Sequence, residues 1–346
     1  MTDMGRRTLA APGTRACTRA VAAALTAVAL AVMTGCAAGP GSDRPASAPA
    51  VHAATVREAA ARSAAGHAAG RGRARAGQAA ACDPEASSLA PSGPPQVTPG
   101  SFMARIRARG YLIAGVSQST YHFGYFDPLT AQFEGFDIDM IRAVAAAIFG
   151  NPNKVEYKAI SDDQRIPDIQ HGTVDIVART MTILCSRLPY VDFSSVYFDA
   201  HQRVLVLNNA RATGLASLGG QKVCATAGSD SAGNIAHFPV SPRLVLVTAQ
   251  DFTDCLVLLQ QGQIAAISTD DAILYGLKAQ DPFTKVVGPP LYDQPYGLAI
   301  AKQHPDFVRF VNAVLGQERA DGAWAASYAH WVGTPVPAPP PARYAA

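Results

Sequence analysis

The sequence predicts an α/β fold of two doubly wound lobes joined by two crossing strands, and three observations carry that expectation. Residues 111–178 alternate apolar strand-like runs with amphipathic segments in the order βαβαβ, with the short connections of a parallel sheet. The same order returns over residues 221–268. Two strand-like runs, HQRVLVLN at 201–208 and QPYGLAI at 294–300, have no helix before them and serve as the crossings out of the first lobe and back. The first lobe is therefore expected to comprise 101–202 and 296–333, and the second 203–295.

Length and composition allow this. The chain has 346 residues, 49% of them hydrophobic, enough for two domains of ordinary size. A formal net charge of +3, with arginines concentrated near the N-terminus, gives no footprint for nucleic acid. Arg6, Arg7, Arg15 and Arg19 precede the apolar run 21–33, the pattern of an export signal over residues 1–35, too short to span a bilayer permanently. Its end, Met33, Thr34, Gly35, Cys36, looks like a lipobox, in which cleavage leaves Cys36 as a lipid-bearing N-terminus on the extracytoplasmic face of the membrane. Residues 36–100 are rich in Ala, Gly, Pro, Ser and Arg and poor in aromatic and branched apolar residues, so a disordered, lipid-anchored linker is expected. Residues 334–346 are a proline-rich tail, frayed or wrapped on the surface.

Within the body, residues 101–110 read as a short helix and 111–116 (YLIAGV) as the first buried strand. The chain leaves that strand through SQSTYHFGYFDP at the carboxyl end, where open α/β sheets put their ligands, so Ser117, Thr120, Tyr121 and Phe123 are candidate wall residues. Asp137 is placed to cap a helix with Ile138, Ile141, Ala145 and Ile148 on one face and Gly150 as its stop. A strand at 154–159, a short helix in DDQRIPDIQHG and a strand in TVDIVAR complete the first unit. In the second lobe QKVCATAGSDSAGNI reads as strand, small-residue loop and helix start, a place for negative charge, although neither GxGxxG nor GK[ST] is present. A helix at 251–261, a strand at 264–268 and the loop Thr269, Asp270, Asp271 follow, with Asp271 suited to capping and Asp270 left free. Two last helices carry Phe307, Phe310, Trp324 and Trp331, which should cover the first lobe.

The most informative stretch is VARTMTILCSRLPYVDFSS, residues 177–195. A strand delivers Thr180 and Thr182 and, five residues on, Arg187, whose planar fork of donors matches a carboxylate bidentately. This loop, with VDFS after it, resembles the signature of the family-3 extracellular solute-binding proteins, the polar amino-acid-binding lipoproteins of ABC importers, where it reads roughly MTITxxR then VDFS. GFDIDM resembles the family's GFDVDL, TDDAIL its loop after GxVDAV with Ala265 in place of an aspartate, and VVGPPLYDQPYG and DGAW have close equivalents in actinobacterial glutamate- and glutamine-binding members.

The resemblance implies a type II periplasmic-binding-protein-like fold, closure of two lobes on a free amino acid, and delivery to a membrane permease. It implies that Arg187, Thr182 and Ser229 take the α-carboxylate while Asp270 and Thr180 take the α-ammonium. Arg165 in SDDQRIPDIQ resembles the NRIP segment of glutamate- and aspartate-binding relatives, whose arginine reaches a second carboxylate. As a buried charge without a partner, it would favour a dicarboxylic amino acid over glutamine or asparagine. The alternative is a solvent-facing arginine paired with Asp162 or Asp168. Of the cysteines left after export, pairing Cys82 with Cys185 and Cys224 with Cys255 keeps each bridge inside one lobe. No nucleophile elbow, HExxH or zinc spacing is present, so a monomeric binding protein without metal, cofactor or enzymatic activity is expected. Two other outputs stay open: a sensor lipoprotein that signals to a membrane receptor, and an enzyme of the cyclohexadienyl dehydratase kind on the same fold.

Overall fold

The computed structural model describes residues 82–345. The expected export signal at 1–35, the expected lipidation site Cys36 and residues 36–81 of the expected linker lie outside the described residues. Among the described residues no helix is long and apolar enough to cross a membrane.

The first lobe opens with α1 (Phe102–Arg109), β1 (Leu112–Val116) and a small antiparallel sheet of β2 (Ser119–Thr120), β3 (Gly124–Asp127) and β4 (Gln132–Glu134). It continues through α2 (Phe136–Phe149), β5 (Val155–Ala159), α3 (Arg165–Gln170), β6 (Ile176–Ala178) and β7 (Asp192–Phe193). The crossing strand β8 (Phe198–Leu207) leads to β9 (Lys222–Thr226), α4 (Asp230–His237), β10 (Val245–Ala249), α5 (Phe252–Gln260), β11 (Ala266–Asp270), α6 (Asp271–Gln280) and β12 (Thr284–Val287). The return runs through β13 (Asp293–Tyr296) and β14 (Ala299–Ile300) to α7 (Pro305–Ala320) and α8 (Ala323–Trp331).

The two sheets have the orders β5-β1-β6-β14-β7 and β10-β9-β11-β8-β12. In each, the first strand lies between the second and third, with both pairings parallel. The order therefore reverses at β1 in one lobe and β9 in the other, and a crevice opens at the carboxyl ends of those strands. Strand β6 is buried on both faces: Ile176 and Ala178 pack in the core under α2, α7 and α8, and Val177 in a second core with Ile169 and Phe193. That two-sided burial is why its sequence is uninterrupted apolar rather than alternating. A separate core around Val223, Cys224, Leu256 and Ile267 holds the second lobe. The lobes are linked where β8 and β13 pair antiparallel, Phe198 to Tyr296 through His201 to Asp293, a two-stranded hinge.

The last helices cover the first lobe as expected: Phe307, Phe310 and Trp324 are in its core, and Trp324 Nε1 donates to the Tyr197 carbonyl at 2.8 Å. Both expected bridges are formed, Cys82–Cys185 with Cα atoms 6.1 Å apart and Cys224–Cys255 with 5.7 Å.

Residues 82–100 depart from the linker reading. They run over the first lobe as an ordered arm, tied at Cys82 and by buried Ser88, which donates to the Phe193 carbonyl (2.7 Å) and accepts from Asn312 Nδ2 (2.7 Å). Asn312 also holds the Leu89 carbonyl. Polar anchors and a covalent bond replace the apolar side chains whose scarcity suggested disorder. The tail is wrapped against this arm: Arg343 pairs with Asp83 and Glu85, and Tyr344 bridges to Ser88.

Candidate functional site

The crevices of the two lobes face each other across one small, partly open pocket. The first lobe contributes Asp162, Arg165, Thr180, Thr182 and Arg187, and the second contributes Ser229, Asp230, Ser231, Phe252, Thr269, Asp270 and Ile273. Six of the expected ligand residues are thus brought together. Tyr121 is not: it is 37% exposed, its ring stands edge-on to His122 and Tyr125, and its carbonyl abuts Gly276 at the mouth between the lobes. Phe123 is core, packed on Phe136, Phe198 and Tyr296, and Ser117 bonds Thr120 within the same turn.

The loop after β6 is shaped by a strained residue. Thr180 has φ of 40°, a region costly for a β-branched side chain. It is held there by Asp137, whose Oδ2 accepts the Thr180 N–H at 2.9 Å while Oδ1 accepts the Tyr197 hydroxyl at 2.5 Å. Asp137 is therefore not the helix cap: Gly135 occupies that position and Asp137 lies in the first turn of α2, reaching back to the ligand loop. Burial pushes its carboxyl up to about 6 against these two hydrogen bonds.

Arg187 is 9% exposed and has one acceptor among the described residues, the Thr182 carbonyl at 2.6 Å from Nη1. The rest of its fork faces the pocket. Burial, then the neighbouring Arg165, lower it to about 10, so it stays cationic at neutral pH. Thr182 donates its hydroxyl to Gln294 Oε1 at 2.5 Å, so that proton is not available to a carboxylate ligand as the sequence had implied. Ser229 likewise spends its hydroxyl on the Thr226 carbonyl (2.7 Å) and caps α4 by accepting from Ala232 N (3.2 Å). What α4 offers the pocket is its N-terminal backbone, a favourable place for an anion.

Opposite stands Asp270. Its Oδ2 accepts from Tyr296 Oη at 2.7 Å, and its Oδ1 is buried with no hydrogen-bond partner among the described residues. An orphan acceptor of this kind is costly unless a donor meets it. Burial, with Asp230, Asp271 and Asp162 adding negative charge nearby, raises the carboxyl to about 7. Asp270 itself holds the N-cap position of α6 without a side-chain capping bond, and Asp271, the first helical residue, accepts with Oδ1 from Ala272 N at 2.9 Å and from His201 N at 3.1 Å on the crossing strand.

Arg165 lines the pocket but is neither unpartnered nor solvent-facing. It is 3% exposed, bonds the Asp162 (2.9 Å), Arg179 (3.2 Å) and Gly228 (3.3 Å) carbonyls, and pairs with Asp162 Oδ1 at 3.2 Å. Asp162, the partner that the alternative reading named for Arg165, is the centre of a larger cluster. It also meets Arg179 at 3.4 Å and accepts the Thr226 hydroxyl from the other lobe. Burial works to raise its carboxyl, but Arg165 and Arg179 hold it below the ordinary range. Arg179, 2% exposed at the end of an apolar strand, reaches Asp251 across the cleft at 2.9 Å.

These cross-lobe bonds describe a closed cleft, and Gly228 lets it close. Its φ is +75°, and a Cβ there would lie 2.7 Å from Asp163 Cα on the opposite lobe. Gly228→Ala is expected to wedge the lobes apart and weaken ligand binding about tenfold or more. Calorimetry checks the affinity, and small-angle scattering at saturating ligand should show the expanded form. Unchanged affinity and compaction would show that the contact does not govern closure.

Residues 112–334 match the family of bacterial extracellular solute-binding proteins, family 3. The chain is 34% identical over 231 residues to the ABC transporter glutamine-binding protein of Bacillus subtilis, covering 66% of this chain and 84% of that one. It is 28% identical over 244 residues to the L-glutamate/L-aspartate-binding protein of Pseudomonas aeruginosa, covering 68% and 81%. Among solved structures, an ancestral arginine-binding protein bound to glutamine superposes with a TM-score of 0.60 at 32% identity, over 65% of this chain and 99% of that one. The arginine-binding protein of T. maritima, as its P235GK mutant, gives 0.62 at 26% identity, over 66% and 98%. With two doubly wound lobes, a two-stranded hinge and a polar pocket between them, this chain has the type II periplasmic-binding fold and belongs to the bacterial extracellular solute-binding proteins, family 3.

Proposed function

We propose that the protein captures a free polar α-amino acid outside the cytoplasm, with glutamine as its preferred ligand, and presents it to the permease of an ABC importer without chemically altering it. The observation that carries this reading is the pairing across one small pocket of Arg187, with donors to spare, and Asp270, with an orphan buried acceptor. A zwitterion satisfies both walls at once, and only in the closed form, which is the differential affinity that ligand-driven closure requires. The relatives' names supply the ligand class.

The side-chain preference follows from charge. A dicarboxylic ligand was expected on the premise of an unpartnered Arg165, and that premise is replaced by the Asp162 pair and three carbonyls. Arg165, Arg179 and Arg187 already face Asp162, Asp230, Asp251 and Asp270 in and beside the pocket. A second ligand carboxylate would add to the negative side, whereas an amide would not. Calorimetry with L-glutamine, L-glutamate and L-arginine is expected to rank glutamine first, by about tenfold or more over glutamate. Glutamate ahead of glutamine would overturn the side-chain assignment, and no heat with any common α-amino acid would overturn the reading itself.

We further propose that the protein is held to the membrane through lipid on Cys36, from the sequence Met33, Thr34, Gly35, Cys36 behind an apolar run. The wild type is expected in the membrane fraction and Cys36→Ser in the soluble or unprocessed fraction; equal partitioning would remove the anchor.

A further inference from the structure

Two buried amides in the hinge, Gln202 on β8 and Gln294 on β13, have no part in the reading above, and each is at most 1% exposed. A continuous run of hydrogen bonds passes through both. Ser268 Oγ donates to the Arg203 carbonyl (2.9 Å) and so accepts from Gln202 Nε2 (3.0 Å). Gln202 Oε1 accepts from Asn234 Nδ2 (2.7 Å), which also donates to Asp230 Oδ2 (3.2 Å). The same Asp230 oxygen takes Gln294 Nε2 at 2.8 Å, and Gln294 Oε1 takes the Thr182 hydroxyl at 2.5 Å.

The sense of the last two bonds is fixed by chemistry. An ionised carboxylate only accepts, so Gln294 turns its NH₂ toward Asp230 and its carbonyl oxygen toward Thr182. Thr182 has one hydroxyl proton, and it goes to Gln294. The lone pairs are all that the oxygen has left to offer the pocket it lines.

We propose that Gln294 is a positioning residue for ligand binding: from the hinge it holds Thr182 of one lobe and Asp230 of the other at once, and by taking the Thr182 proton it presents that oxygen as an acceptor. Its partner in a bound amino acid is then the α-ammonium, on the same side of the charge pattern as Asp270, and the α-carboxylate is left to Arg187 and the backbone at the start of α4. Gln294 also binds Asp230, the carboxylate on α4 that would otherwise compete for Arg187 with the ligand. Thr182 is backbone-paired with Tyr296 beside Gln294, so that bond stays with the first lobe, while the bond to Asp230 reaches α4 of the second lobe and belongs to the closed arrangement. The assignment rests on the amino-acid reading above.

Charge exchange along the chain tests it. Gln294→Glu places a carboxylate against Asp230 Oδ2 while still accepting from Thr182, and is expected to lower L-glutamine affinity about tenfold or more. Adding Asp230→Asn restores a donor to that link, and the double variant should return to within about threefold of wild type, a rescue that a loss of packing would not show. In a second cycle, Thr182→Val and Gln294→Met are each expected to cost about tenfold singly and no more than about the larger single loss together, because they remove one shared hydrogen bond. Additive losses in that cycle, or Gln294→Glu left unrescued by Asp230→Asn, would overturn the assignment. L-glutamine and L-glutamate are titrated side by side: a wild type that binds neither overturns the amino-acid reading, whereas a wild type that binds, with an additive cycle, overturns the role of Gln294 alone.

Discussion

Arg187→Ala is expected to weaken amino-acid binding by about 2 to 5 kcal/mol, which at the lower end already exceeds tenfold in Kd. The size follows from what stays behind. Arg187 is nearly buried and gives one donor to the Thr182 carbonyl, so most of its fork serves the ligand. Without it, a ligand carboxylate enters a closed pocket with the N-terminus of α4 and an Arg165 already paired to Asp162 as its remaining positive partners, and Asp230 nearby. Arg187→Lys should recover part of the loss, since an ammonium keeps the charge but not the bidentate geometry. Calorimetry on the three proteins checks the order; an alanine variant that binds as tightly as wild type would remove the centre of the functional reading.

The visibility of Arg187 in the sequence has a local cause: strand, loop hydroxyls and arginine lie within one short stretch whose pattern needs no tertiary knowledge. The βαβαβ order of each lobe was legible for the same reason, because β-strand runs and helix faces are local periodicities. The features that escaped are long-range. Arg179 closes an apolar strand and looked like its polar end, yet it is buried because Asp162 and Asp251, 17 and 72 residues away, receive it. Gln294 read as part of a crossing strand, and its partners Thr182 and Asp230 are 112 and 64 residues distant. Arg165 lines the cleft, and its pairing with Asp162, three residues away, was open to the sequence; the Thr226 bond that anchors Asp162 from the other lobe, 64 residues distant, was not. The arm at 82–100 has the composition of a linker because composition registers apolar burial and not a disulfide or a buried Ser88–Asn312 bond spanning 224 residues.

Asp270 gives the second large effect, and its sign can be worked out. Its carboxyl lies at about 7 in the protein against the ordinary 3.8, from burial first and neighbouring aspartates next. An α-ammonium needs the ionised form, so below about pH 7 binding must first expel a proton and affinity should fall about tenfold per pH unit, levelling off above. Stability of the ligand-free protein runs the other way. A raised acidic pKa means the native state holds the proton more tightly than the unfolded chain, so this group's contribution is full below about pH 4. It is lost as pH rises toward about 7, where the unpartnered Oδ1 must carry charge. Asp270→Asn is therefore expected to raise the Tm of the free protein at about pH 8 while weakening glutamine binding there by about 2 kcal/mol or more, a trade between stability and function. Asp137, raised to about 6 beneath the Thr180 loop, titrates in the same window, so the difference between wild type and variant isolates the Asp270 share. Calorimetry between about pH 5.5 and pH 8, with thermal unfolding alongside, checks both halves. An Asn variant with the wild-type pH profile would show that the orphan oxygen is not the ammonium's partner.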